Sequence, residues 1–87
     1  MVKVHQSSKD LSFTSRAQYT FCIQGYIDSS WSDRLGGVAI SSGFDDDNKP
    51  ITTLEGSLAD QSELIGILNS IYAMHMPLLS VTFVKTL

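Results

Sequence analysis

Cysteine occurs once in the chain, at Cys22, so no intrachain disulfide can form and a cysteine-rich zinc site is excluded. A lone thiol fits a reducing compartment, and the expectation is a cytoplasmic protein. Long apolar runs are also missing. No stretch approaches the roughly 20 residues that span a bilayer, and the opening "MVKVHQSSKDLSFTSRAQ" lacks the apolar centre of a secretory signal. Positive charge is scarce. Six basic residues face nine acidic ones, for a net charge of −3. That balance argues against general nucleic-acid binding, which relies on a basic footprint that displaces counterions from phosphates. Histidine appears twice, at His5 and His75, too far apart in sequence to announce a metal site. No cofactor signature is present. Gly36–Gly37 lacks both the G-x-G-x-x-G spacing and a following lysine, so it is not a phosphate loop.

What is present is a globular composition. Hydrophobic residues make up 43% of 87 residues, enough for one small domain. A chain of this size buries only about 60% of its unfolded surface, so a second copy is a natural supplement to its core. Residues 1–17 are polar, rich in serine and lysine, and carry Lys3, Lys9 and Arg16. They read as a flexible arm preceding a single domain over 18–87. A sharper reading makes the arm a basic contact for an acidic partner. "VKVH" also has the pattern of a short edge strand.

From Tyr19 to Ile27, apolar residues alternate with period two, as a strand requires: Tyr19, Phe21, Ile23, Gly25 and Ile27 on one side, Thr20, Cys22, Gln24 and Tyr26 on the other. Asp28 then offers a side-chain acceptor for a helix start, and Gly36 a residue free to adopt the left-handed ending. The spacing predicts a short helix over Ser29–Leu35, held down by Trp31 and Leu35. "GVAISSGF" and "ITTLEGSL" predict two strands joined at the turn "DDDNKP", a hairpin. Asp60 followed by Glu63 resembles a capping box, and Leu64, Ile67, Leu68 and Ile71 form one apolar helical face. Gly66 inside this helix is expected to admit a neighbouring backbone. Pro77 ends the helix, and "LLSVTFVK" predicts a strand inside a sheet or at a covered edge.

The order β–short α–β–β–α–β suits an α+β, ferredoxin-like domain: a four-stranded sheet with helices on one face. The ten residues from Asp28 to Gly37 are short for a parallel crossover of about a dozen. The alternative is therefore a three-strand meander, followed by the helix and a returning strand. Either arrangement leaves one sheet face uncovered. Cys22, Tyr26, Leu78, Val84 and Phe44 are candidates for it, and an exposed apolar face predicts a homodimer.

Several groups are candidates for chemistry. Asp28, Ser30, Trp31, Asp33 and Arg34 cluster around the first corner, where a tryptophan beside an arginine can form a stacking surface. The plainer reading is a capped helix with a core tryptophan. His75 falls at the expected last turn of the long helix, where a positive charge meets the negative end of the dipole. Asp45, Asp46 and Asp47 lack the alternate spacing and distal glutamate of a calcium loop and read as a solvated turn. Cys22 has no nearby base to activate it.

"QGYIDSSWSDRLGG", "DQSELIGILNSI" and "MPLLSV" together resemble a family of small bacterial proteins of unknown function, over roughly Tyr19–Val81. The resemblance rests on Gly25, Asp28, Trp31 and Gly36–Gly37, then on Asp60, Gln61, Leu64, Gly66 and Leu68, and finally on Pro77, Leu78 and Ser80. Relatives often carry a histidine before the helix glycine, where this chain has Ile65, so no role of that histidine transfers. The resemblance implies one unit over most of the chain and no activity.

The leading functional expectation is a small dimerising module that binds a protein partner or ligand, with Trp31, Asp33, Arg34 and His75 as its contact residues. The alternative is a small dimeric enzyme with a pocket between sheet and helix. It would use His75 as acid/base group, assisted by Tyr26 or Tyr72.

Overall fold

The computed structural model describes residues 3–5 and 16–87. In chain order they form β1 (Lys3–His5), β2 (Ala17–Gln24), a 3₁₀ segment (Ser29–Leu35), β3 (Ala39–Phe44), β4 (Pro50–Leu58), α1 (Gln61–Ala73) and β5 (Leu78–Thr86). The protein is a small α+β domain. Its centre is a four-stranded antiparallel sheet, β5-β2-β4-β3, and β1 adds a three-residue parallel edge beside β5. Of the expected N-terminal arm, Lys3–His5 takes the strand reading, while residues 1, 2 and 6–15, with Lys9, lie outside the described residues.

The meander alternative fails on strand pairing, because β2 pairs with β4 and β5 and has no ladder with β3. Since β2 and β3 each run antiparallel to β4, they are parallel to one another with β4 between them. The connection that makes this possible is longer than the sequence pattern indicated. β2 stops at Gln24, not Ile27, and the chain is free from residue 25 to residue 38. Gly25, at φ 117°, turns it out of the sheet. The Gly25 amide donates to the Pro50 carbonyl (2.8 Å), and the Ile27 side chain goes into the core.

The alternation in β2 sends Ala17, Tyr19, Phe21 and Ile23 into one apolar core with Leu54 and Leu58 of β4 and Val81 of β5. Leu35 from the 3₁₀ segment and Ile67 and Ile71 from α1 complete it, so both helical pieces lie on the same face of the sheet. β5 lacks strict alternation because it slips twice against β2. Cys22 faces Ser80 while Ile23 faces Leu78, and Tyr19 faces Phe83 while Gln18 faces Lys85, leaving Leu79 and Val84 as the extra residues of two bulges.

The opposite sheet face is not apolar, contrary to the expectation from sequence. Leu78 pairs with the core residue Ile23, and Phe44 pairs with Pro50 on the helix side. Tyr26 lies beyond the strand altogether. The face that carries Cys22 is mostly polar: Gln18, Thr20, Gln24, Thr53, Ser57, Ser80 and Thr82 lie on it, with Glu55 opposite Thr20, Lys85 opposite Gln18 and Ile51 opposite Gln24. The glycines also trade roles. Gly56, not Gly66, lies against a neighbouring strand start: a Cβ there would lie 2.7 Å from Val38 Cγ1, whereas nothing lies within 4 Å of one at Gly66.

Candidate functional site

The corner after β2 is assembled around one hydroxyl. Thr52 is fully buried, and its Oγ1 accepts from the Ile27 amide (3.1 Å) while donating to the Gly25 carbonyl (2.7 Å). One side chain of β4 thus satisfies both backbone groups that the turn removes from the ladder. Asp28 then caps the helical segment, its Oδ1 accepting from the Ser30 amide (3.3 Å). The seven residues Ser29–Leu35 wind as 3₁₀ helix, not α-helix, and close at Gly36 with φ 77°. The Ser32 hydroxyl donates to the Val38 carbonyl (2.6 Å), tying the segment to the start of β3.

The tighter winding decides what Trp31 does. Leu35, 2% exposed, is the residue that enters the core. Trp31 is 37% exposed and lies outside the core cluster, so the core-tryptophan reading does not hold. The Arg34 guanidinium lies 4.9 Å from the centre of the indole ring, a cation–π stack on the surface. Trp31 and Arg34 wall a groove of about 290 Å³ against Ala73 and Met74 at the end of α1. Arg34 also borders a second groove of about 290 Å³, where it faces Glu63, Gly66 and Ile67. Gly66 therefore serves as an opening, since its missing side chain leaves the floor of that groove clear. Asp33 is exposed on the outer side of the same segment.

His75 is not brought to this cluster. The helix stops at Ala73, two residues before it. His75 sits past the end with φ 57°, its amide donating to the Tyr72 carbonyl (3.0 Å) and its side chain exposed. It holds the left-handed position where glycine is the common occupant. His75 lines none of the three grooves described here, and Tyr26 is exposed away from them.

The largest of these three grooves lies in what reads as an ordinary amphipathic face. On the side of α1 away from the 3₁₀ segment, Leu64, Leu68 and Ile71 stand over Met76, Leu78 and Val81 and enclose about 490 Å³, with Tyr72 at the rim. Only Ile67 and Ile71 of the helix are fully buried. Leu64 and Leu68 are half-buried, packed against the core on one side and open to the groove on the other. The sequence signal was a helical stripe wider than a single core contact needs.

The acidic turn is structural. Asp45 Oδ1 accepts from the Asp47 and Lys49 amides, each at 2.9 Å, and Asn48 takes a left-handed φ of 61°. Among the described residues, no group of three or more His, Cys, Asp or Glu side chains is placed to hold a metal ion. No helix among them is long and apolar enough to cross a membrane.

A family model described as a domain of unknown function, DUF8691, matches residues 18–82. The chain belongs to that family. The match runs from β2 into β5, leaving out β1 and the end of β5, and takes in the Thr52 corner, the 3₁₀ segment and all three grooves. No curated protein and no solved structure matches the chain.

Proposed function

We propose that the protein is a cytoplasmic, self-associating interaction module that receives apolar side chains of a protein partner in the groove between α1 and β5. The groove itself carries the reading. Its volume of about 490 Å³ falls in the range of ligand sites, roughly 300–1,000 Å³, yet its walls are aliphatic and the Tyr72 hydroxyl is the polar group at its rim. Orienting a metabolite for catalysis takes several convergent polar groups, whereas anchoring leucine-like or aromatic side chains takes none. The Trp31–Arg34 stack on the other flank of α1 supplies a polar-edged rim of the kind found around protein contacts. The strand order β5-β2-β4-β3, with a helical connection between the parallel pair β2 and β3, supports reading the fold as a ferredoxin-like split β-α-β unit.

The test uses an apolar fluorescent probe, anilinonaphthalene sulfonate, on the folded protein at neutral pH. The native chain should enhance its emission. Leu68→Lys should remove most of that enhancement at some cost in melting temperature, since Leu68 packs partly against the core, and Tyr72→Ala should remove most of it while circular dichroism and the melting temperature stay close to native. Tyr72 is 82% exposed, so its removal leaves the core alone. A native chain that leaves the probe dark would refute the open groove, as would variants that bind it undiminished.

A further inference from the structure

The sheet treats its two edges differently. Beside β5 the outermost strand among the described residues is β1, three residues long there, and short edges discourage further pairing. At the other end β3 runs six residues, Ala39–Phe44, with no charge, no proline and an unbroken register against β4. Among the described residues, none of the devices that usually protect an edge is present on it. Its last residue, Phe44, is 69% exposed.

The hydrogen-bond pattern tells which backbone groups that edge offers. The Asp45 amide donates across the hairpin to the Lys49 carbonyl (2.9 Å), so Asp45 sits at a bonded position. Bonded positions alternate along an antiparallel ladder. Ala39, Ser41 and Gly43 therefore aim their amides and carbonyls at β4, while Ile40, Ser42 and Phe44 aim theirs outward. Ile40, Ser42 and Phe44 also share the helix-side face, opposite Leu54, Thr52 and Pro50.

We propose that β3 pairs with β3 of a second copy, antiparallel about a two-fold axis through Ser42, joining the two sheets into one. This rests on the self-association stated above and names the surface that performs it. An axis perpendicular to the sheet requires residues of the same face to meet, and bonded positions to meet bonded positions. Ser42 opposite Ser42 satisfies both and uses the whole outward row. Ile40 then faces Phe44 of the other copy, and Phe44 faces its Ile40. Each edge gains an aromatic–β-branched cross-strand pair, and Phe44 gains a partner. On the open face, Ser41 meets Gly43, which leaves the approach unobstructed. Charge permits it as well. The acidic turns at Asp45–Asp47 lie at opposite ends of the new ladder, so no carboxylate meets another. Two-fold self-pairing of one patch is the commonest route to a soluble dimer.

Sedimentation velocity at tens of micromolar is the first measurement, with native chain expected at twice the 9.5 kDa chain mass. Ser42→Lys places two positive charges face to face on the axis, and should raise the dissociation constant more than about tenfold with circular dichroism unchanged. Ser42→Cys in a Cys22→Ser background should cross-link under mild oxidation, because a bonded antiparallel pair sets its Cα atoms about 5.5 Å apart, within disulfide reach. A dimer that survives Ser42→Lys and does not cross-link at position 42 would overturn the β3 interface and leave self-association standing. A native monomer would overturn both and leave the edge to the strand of another protein. Cross-linking at position 42 supports the pairing even if Ser42→Lys fails to fold.

Discussion

Thr52 is the residue on which the corner depends, and replacing it by valine tests that dependence at nearly constant shape. Thr52→Val leaves the Ile27 amide and the Gly25 carbonyl without the partner they share, so stability should fall by roughly 1–3 kcal/mol in urea denaturation. Hydrogen exchange at Ile27 should accelerate in the same variant. Thr52→Ser keeps the hydroxyl and should lose much less. A second pair of substitutions separates anchor from surface in the 3₁₀ segment. Leu35→Ala opens a cavity in the core and should cost about 2–5 kcal/mol, whereas Trp31→Ala removes a partly exposed stack and should cost about 1 kcal/mol. Equal losses would return Trp31 to the core. The sequence marks the corner well, through Asp28, Gly36 and the i,i+4 pair Trp31 and Leu35. It does not reveal that the segment winds as 3₁₀, and that winding leaves Leu35 alone as its core anchor. Thr52 is half legible: period two puts it on the face of Leu54 and Leu58 and Thr53 on the other, but nothing in the sequence says that the turn after β2 lies over it.

At the scale of elements, α1 is specified at both ends. Asp60 Oδ1 accepts from the Glu63 amide (3.1 Å) while Glu63 Oε1 accepts from the Ala59 amide (2.6 Å), the reciprocal box that the spacing of the two acids predicts. The Ser62 hydroxyl and then the Glu63 amide, both donating to Asp60, hold its carboxyl below its ordinary value of 3.8. The folded chain thus binds this proton less readily than the unfolded chain. Its contribution is present above the ordinary aspartate range and is lost as pH falls through the folded value. Between pH 5 and pH 3, native protein should lose stability more steeply than Asp60→Ser, whose cap does not titrate; parallel profiles would refute the assignment. At the other end, His75 occupies a left-handed position at the expense of its β-carbon. His75→Gly should raise stability, by up to about 1 kcal/mol, in the same denaturation experiment. The apolar periodicity of Leu64, Ile67, Leu68 and Ile71 made the helix readable, but not the division of that stripe into a buried pair and a half-buried one. That division depends on where β5 lies beneath it, and the bulges that displace β5 leave no mark in a strand apolar at almost every position.

At the scale of the whole molecule, the strand pattern gives the elements and one hairpin, while the interleaving of β4 between β2 and β3 comes from a connection whose start at Gly25 the alternation conceals. The open face shows the same limit. Of the residues expected there, Cys22 lies on it but Leu78, Phe44 and Tyr26 do not, and polar residues make up most of it because register, not composition, sorts side chains between faces. The same interleaving governs how the chain finds its fold. Ala17 opens β2, yet its partners are Leu58 and Thr86, so the middle of the sheet is made from pieces remote along the chain. Closing those loops costs entropy before any ladder forms, and only the β3–β4 hairpin can close early. Refolding from urea should therefore take milliseconds to seconds, not the microseconds of a helical bundle of this length, and stopped-flow fluorescence of Trp31 would time it. A substitution that weakens the early-closing β3–β4 hairpin, such as Ile40→Ala, should slow refolding, whereas Phe21→Leu, in a strand whose partners are remote along the chain, should mainly speed unfolding.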